Sequence, residues 1–351
     1  MSEIEVLGES VTAACERFAG DGDGLWRALE QIGVTLLPVP EGYGGAGADL
    51  ATTGAVLRAL GRRGVSLPIV ETALLAGWLL AAAGARVPSG PLSAVLAGPA
   101  VRLSRDGGHW TLSGRLERVP WGRAVERIVV LLDRPEGAHL AILDRAALEV
   151  IHGGNVAGEP RDDLVARDVV LTTGMVRAVP AAGVTAAAFR ARGALGRALM
   201  ICGAAERALE LTLRHISQRE QFGRTLGGFQ AVQHLVARQA GEVAAARAAA
   251  ESAASDLDTL GPGALGENGE DLISVAAAKV AAGTAATAVS GIAHQLHGAL
   301  GFTDEHELHR YTTRLWAWRD EYGNEDEWAA YLGRRALAAG GEGLWPLLTT
   351  T

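Results

Sequence analysis

Three helical patterns of unusual length dominate the second half of this chain and leave little choice of architecture there. They run from roughly Thr185 to His215, from Gly228 to Asp258, and from Asp271 to Gln295. Alanine crowds two of them, at Ala244 to Ala250 and Ala276 to Ala282. It favours helix and lets neighbouring helices approach closely. Gly261-Pro262-Gly263 stops the second pattern before the third begins. The expectation is a helical bundle.

Helical spacing also marks the beginning: Trp26, Leu29 and Ile32, then Val56, Leu57 and Leu60, then Leu74, Leu75 and Trp78. The stretch from Pro38 to Gly47 must be non-helical, and Asp49 then offers an N-cap for the next helix. Between about Pro88 and Val179 the character changes. Trp110 to Gly114, Arg127 to Leu132 and Val169 to Leu171 are short β-favouring runs, punctuated closely by Gly and Asp as in an antiparallel domain.

Composition removes several functions. A net charge of -8 disfavours nonspecific binding to nucleic acid or anionic membranes. With Cys15 and Cys202 the only cysteines, no disulfide framework is needed and a reduced compartment fits. The opening Met-Ser-Glu-Ile-Glu is acidic, without a basic or apolar leader pattern. The apolar window Leu74 to Ala85 is short of the about 20 residues that cross a bilayer. The expectation is a cytoplasmic protein.

Some apparent motifs reduce to local structure. Gly42-Tyr43-Gly44-Gly45-Ala46-Gly47 fits G-x-G-x-x-G, yet no strand pattern precedes it, as a dinucleotide fingerprint requires. Asp21-Gly22-Asp23-Gly24 lacks the closing glutamate of a calcium loop and reads as an inter-helix turn. His306 and His309, one helical turn apart, lack partner ligands in pattern and read as packing or polar surface rather than metal ligands.

The richest chemistry lies between the first two long helices. Arg219-Glu220-Gln221-Phe222-Gly223-Arg224 is followed by Phe229-Gln230, and downstream by Gln295-Leu296-His297-Gly298-Ala299-Leu300-Gly301-Phe302. Arginine there offers a fork of donors to diphosphate oxygens that lysine cannot copy. Phe222 and Phe229 offer apolar faces to a flat cofactor, and Gln230 an amide. Gly298 and Gly301 permit close backbone approach and positive φ.

These segments closely resemble the C-terminal domain of the acyl-CoA dehydrogenase family. Pro40-Glu41-Gly42-Tyr43-Gly44-Gly45-Ala46-Gly47, with Leu60-Gly61-Arg62 and Pro68, resembles its N-terminal domain. The resemblance implies an α+β fold: an N-terminal helical domain (1–87), a central antiparallel β-barrel-like domain (88–180) and a C-terminal four-helix bundle (181–351). It also implies that Arg219, Gln221, Phe222, Leu226, Phe229, Gln230, Gln295 and Gly298 hold the diphosphate and adenosine end of an FAD whose flavin lies in a neighbouring subunit. Members oxidise an acyl-CoA to the α,β-unsaturated thioester, a carboxylate taking the α proton and the flavin a hydride.

Three family features are missing. The Thr-Glu-Pro-x-x-Gly-Ser-Asp-like stretch that contacts the flavin cannot be found in Pro88 to Gly98. The Gly-x-Lys-x-Trp-Ile-Thr-like stretch is replaced by Gly114-Arg115-Leu116-Glu117-Arg118-Val119-Pro120, with Trp121 out of register. The catalytic glutamate's two usual positions fall on Tyr322 and Gly193. Glu321, next to the first, is a candidate base; the simpler reading places it in the acidic surface run Asp320 to Glu327. What would reach a neighbour's flavin is retained and what would serve a flavin here is lost.

That imbalance resembles the small subunits of actinobacterial α2β2 acyl-CoA dehydrogenases of sterol catabolism. It implies a non-catalytic, FAD-completing chain in a heterotetramer, partnered by a homologous subunit that carries the flavin cradle and the catalytic glutamate. A bulky sterol-derived acyl-CoA is the implied substrate. Two alternatives stay open: an autonomous homotetrameric dehydrogenase using Glu321, and a structural or acyl-CoA-binding subunit with no role at the flavin.

Overall fold

A computed structural model describes residues 3–134, 137–172, 174–180, 183–260 and 272–349. The described chain forms two compact units, one of residues 3–53 and 66–193, the other of 54–65, 194–260 and 272–349.

The first unit opens with α1 (Glu3–Arg17) and α2 (Gly22–Ile32). Asp21 begins α2 as its N-cap, its carboxylate accepting from the Gly24 N–H at 2.9 Å, so the Asp-Gly repeat is a helix start. Asp49 caps α3 (Leu50–Arg62) in the same way. Its Oδ1 accepts from the Thr52 N–H at 2.7 Å, and hydrogen bonding to Thr52 holds its carboxyl below the usual range. Glu41–Tyr43 before the glycine run is a 3-10 turn, not a strand, which removes the dinucleotide reading.

The Leu74 pattern is helical but wider than an α-helix. Val70–Ala76 forms a π-helix that continues as α4 (Gly77–Ala82), with the Gly77 N–H reaching the Thr72 carbonyl five residues back. The Thr72 hydroxyl donates to the Leu92 carbonyl and accepts from the Leu92 N–H, both at 3.0 Å, so this helix fixes where the first strand starts.

Eight strands of this unit build two four-stranded sheets. One has the order β1 (Leu92–Leu96), β4 (Arg127–Leu132), β5 (His139–Asp144), β8 (Val176–Ala178). The other has β2 (Arg102–Asp106), β3 (His109–Pro120), β7 (Arg161–Leu171), β6 (Glu149–Ile151). Val95, Ile128, Val130 and Leu143 face Leu103, Leu112, Leu116 and Leu164 in a dry core between them. Every second side chain of β4, Ile128, Val130 and Leu132, points into this core, as the pleat of a strand requires.

The expected antiparallel β domain is present, with two particulars of its own. The sheets do not close, since no strand pairing joins them among the described residues, and β1 runs parallel to β4, Leu92 opposite Arg127 through Leu96 opposite Leu131. The chain leaves β1 for the other sheet and returns only at β4; that crossover produces the parallel pair.

The second unit is helical: the later turns of α3, then α5 (Ala186–Gln218) from Ala194 on, α6 (Gln230–Leu260), α7 (Ile273–His297), α8 (Leu308–Asp320) and α9 (Glu325–Thr349). The Gly261-Pro262-Gly263 stop and the Asp271 start lie outside the described residues. α7 is long and apolar enough to cross a membrane, but 61% of its apolar window is buried within the fold and it carries buried Lys279. It is a core helix.

Helices α3 and α5 meet through glycines. A Cβ at Gly203 would lie 1.9 Å from the Arg58 carbonyl oxygen, and one at Gly61 only 2.1 Å from that of Met200. Neither backbone oxygen can swing aside. Gly203→Ala is expected to destabilise by about 1–3 kcal/mol through this overpacking. Gly8→Ala, with nothing within 4 Å, should be neutral or stabilising. Urea unfolding of both variants checks the contrast.

Candidate cofactor clasp and the missing base

Leaving α5, the chain turns sharply through a two-stranded hairpin, Glu220–Gln221 paired with Arg224–Thr225. Its two turn residues, Phe222 and Gly223, have φ of 51° and 79°, the pattern of a type I′ turn. Glycine accepts that conformation; phenylalanine is strained in it, at a cost of order 1 kcal/mol. The strain holds a ring that is 91% exposed.

Packing beneath the hairpin locks its direction. Ile216 of α5 and Ile292 and Leu296 of α7 form a small core, with Leu226, Val232, Leu235 and Val236 packed against it. The Leu226 N–H closes on the Arg219 carbonyl at 2.8 Å. Leu226, expected at the ligand, is partly buried and packs against this core.

Above the core the polar groups face outward. Arg219, Gln221, Phe222, Gln230, Gln295 and Gly298 are exposed, and Phe229 is half-buried. The Phe222 and Phe229 rings meet edge-on at 6.3 Å, and the Arg224 guanidinium lies 4.0 Å from the Phe229 ring centroid. Gly298 has φ 61°, ψ −144°, and ends α7 where a side chain would resist the turn.

Imidazoles join the two motif segments. His297 stacks on His215 at 4.4 Å and meets His306 at 4.8 Å, while His294 stacks on Phe302 at 4.4 Å. His306 also accepts from the His309 ring Nδ1 through its carbonyl at 2.7 Å, so this pair packs locally. No group of three or more metal-ligating side chains occurs among the described residues. His297 Nδ1 donates to the Ala293 carbonyl at 2.7 Å, which leaves buried Nε2 as an acceptor without a protein donor. Sequence reading passed over His215, whose only signal is its place four residues before Arg219.

Burial first, and neighbouring His215, His306 and His294 next, push His297 down to about 4 from 6.5. Burial also lowers His215 and His294. The folded state therefore holds fewer protons here than the unfolded chain below pH 6.5. Stability is full above that value and falls as pH drops through 6.5 towards about 4. Melting temperature should decline across this window, and His297→Phe, which keeps a ring in the stack, should flatten the decline. Identical pH profiles would contradict the assignment.

The position of the family base is occupied differently. Tyr322 sits in a left-handed conformation, φ 57°, just past the end of α8, with the Trp328 indole donating to its carbonyl at 3.1 Å. Gly193 is a buried helical residue of α5. One turn further on, Arg197 donates to Glu321 Oε2 at 2.6 Å; the two side chains are only 2% and 12% exposed. Glu321 is thus not part of a solvated acidic run. It is half of a largely buried ion pair.

Lys279 completes this cluster. It is fully buried and donates to the carbonyls of Trp318 and Arg319, satisfying the end of α8. Burial pushes its ammonium down to about 8, against the pull of Glu321, Glu325 and Asp320. The Glu321 carboxylate is thus already engaged by the Arg197 guanidinium.

In the first unit, strand β1 shows where the flavin-contacting stretch is expected. The loop after it reads Ala97-Gly98-Pro99-Ala100, without hydroxyl or acid. The strand's own hydroxyl, Ser93, is fully buried and donates to the Pro120 carbonyl at 2.5 Å. Trp121 packs against the inter-sheet core. These residues do not fit an isoalloxazine ring. The hairpin residues do fit the other end of FAD: guanidinium forks for a diphosphate, exposed rings and amides for the adenosine.

Comparison with known proteins identifies the family. A model of the acyl-CoA dehydrogenase N-terminal domain matches residues 7–86, and one of the C-terminal domain matches 184–325. The chain is 29% identical over 311 residues to acyl-CoA dehydrogenase IpdE2 of Mycolicibacterium smegmatis, covering 87% of this chain and 86% of that protein. Its fold matches a chain of the ChsE4-ChsE5 complex from Mycobacterium tuberculosis with TM-score 0.83 at 23% identity, over 96% of this chain and 98% of that one. It also matches a Tcur3481-Tcur3483 steroid ACAD with TM-score 0.78 at 24% identity, over 97% and 99%. Helical ends, paired sheets, an outward hairpin and both domain matches place the chain in the acyl-CoA dehydrogenase family of flavin-dependent oxidoreductases.

Proposed function

We propose that this chain is the FAD-completing, non-catalytic subunit of a heteromeric acyl-CoA dehydrogenase that forms α,β-unsaturated acyl-CoA. One observation carries the reading: an aromatic residue, 91% exposed, is held on a strained turn beside two arginines, while Glu321 is committed to Arg197. An exposed ring on a strained backbone is unfavourable in isolation and becomes useful when a flat ligand or a neighbour covers it.

Arg219 would hold the diphosphate, and Gln221, Phe222, Gln295 and Gly298 would contact the adenosine end. When bound, FAD supplies the acceptor for the hydride leaving the acyl β carbon. The homologous partner supplies the flavin cradle and the carboxylate that takes the α proton. This chain contributes binding and orientation.

The likeness to the ChsE4-ChsE5 complex and to a steroid ACAD supports a heteromeric assembly and a bulky sterol-derived acyl-CoA, at the level of analogy. Co-expression with a homologue that carries the Thr-Glu-Pro-like stretch and a glutamate tests the assembly. One FAD per pair of unlike chains, in a particle of two such pairs, is expected. Failure of the two chains to copurify, or FAD bound to the partner alone at full occupancy, would contradict it. The reading with Glu321 as base is disfavoured by its ion pair.

A further inference from the structure

A recess of about 470 Å³ opens on the outer face of the β1-β4-β5-β8 sheet, away from the inter-sheet core. Strand register builds it. Leu92, Arg127 and Asp144 lie opposite one another across β1, β4 and β5, and Val129 lies opposite Ile142 one step along. Arg177 on β8 lies opposite Leu140, whose side chain shares the face of Ile142 and Asp144. Leu80 of α4 and Arg86, in the segment after it, supply the wall.

The result is an apolar floor with three guanidinium groups around it and one carboxylate. Asp144 is 3.8 Å from the Arg127 Nε, with both side chains at least half exposed. Arg177 donates to the Gly174 carbonyl at 3.2 Å. Arg86 has no carboxylate partner among the described residues. In a chain of net charge -8, three cations gathered around one cavity against one acid is a local reversal of sign. Guanidinium forks match planar and tetrahedral oxyanions, and the volume falls in the range of small-ligand sites.

We propose that this recess binds an amphipathic organic anion: a carboxylate or phosphate-monoester head held by Arg86, Arg127 and Arg177, joined to a compact apolar body over Ile142 and Met175. The site lies wholly within the first unit and owes nothing to the hairpin, so it stands or falls separately from the proposed subunit role.

Calorimetric titration of the full chain with hexyl phosphate and with hexanoate tests it. Saturable binding of at least one, with one site per chain, is expected. Inorganic phosphate and hexan-1-ol, the two halves alone, should each bind at least about tenfold more weakly. Arg177→Gln and Arg86→Gln should each weaken binding about tenfold without lowering the melting temperature. They lie on different elements, so loss of fold in one leaves the other decisive. Absence of saturable binding by both anions, or binding unchanged in the folded variants, overturns the proposal.

Discussion

Alanine in place of Arg197 should destabilise the protein by about 3–5 kcal/mol, the usual cost of leaving a buried charge without its partner. The side chain is 2% exposed, bonds Glu321 at 2.6 Å and lies over the Trp318 ring at 5.9 Å. Removing it takes the guanidinium away from a nearly buried carboxylate and opens a void beside Trp318. A double variant, Arg197→Met with Glu321→Leu, removes both charges and should recover at least half of the loss, since an apolar replacement of a buried pair is often nearly neutral. Denaturant unfolding of the single and double variants measures the coupling. A loss below about 1 kcal/mol for Arg197→Ala would mean a surface-like, loosely held pair. Glu321 would then regain standing as a base.

Arg219→Ala is expected to behave in the opposite way. Its side chain is exposed, so stability should change by less than about 0.5 kcal/mol. In the complex with a flavin-carrying partner, loss of charge-assisted hydrogen bonds to the diphosphate should weaken FAD binding by about 1.5–3 kcal/mol, roughly ten- to a hundredfold. Arg219→Lys should recover only part of this, because an ammonium keeps the charge and loses the fork. Equilibrium dialysis of FAD against wild-type and variant complexes reads the effect. Unchanged affinity and turnover would favour a purely structural or acyl-CoA-binding subunit.

The long helices were legible because a period of 3.6 residues persists over many turns; α5, α6 and α7 fall within a few residues of their expected limits. Strand β1 was not. Leu92–Leu96 is buried almost throughout, so it shows no alternation, and its pairing with β4 depends on residues more than thirty positions away. The π-turn at Val70–Ala76 left no mark either, because its register is set by Thr72 meeting the backbone of Leu92.

At the candidate site, the Arg219 and Gln295 segments could be recognised as motifs, but their meeting through His215, His297 and a shared apolar core is tertiary. Glu321 was misread for a related reason. Among five acids in eight residues it looks solvated, and the partner that buries it, Arg197, lies 124 residues earlier on α5. An ion pair of that separation has no local signature.

The most direct measurement is the flavin content and acyl-CoA-dependent dye reduction of this chain purified alone. A chain that only completes a partner's site should be colourless, should stay so after incubation with FAD, and should gain activity when the glutamate-bearing homologue is added. Yellow protein that turns over acyl-CoA unaided, and loses that turnover in Glu321→Gln, would contradict the account.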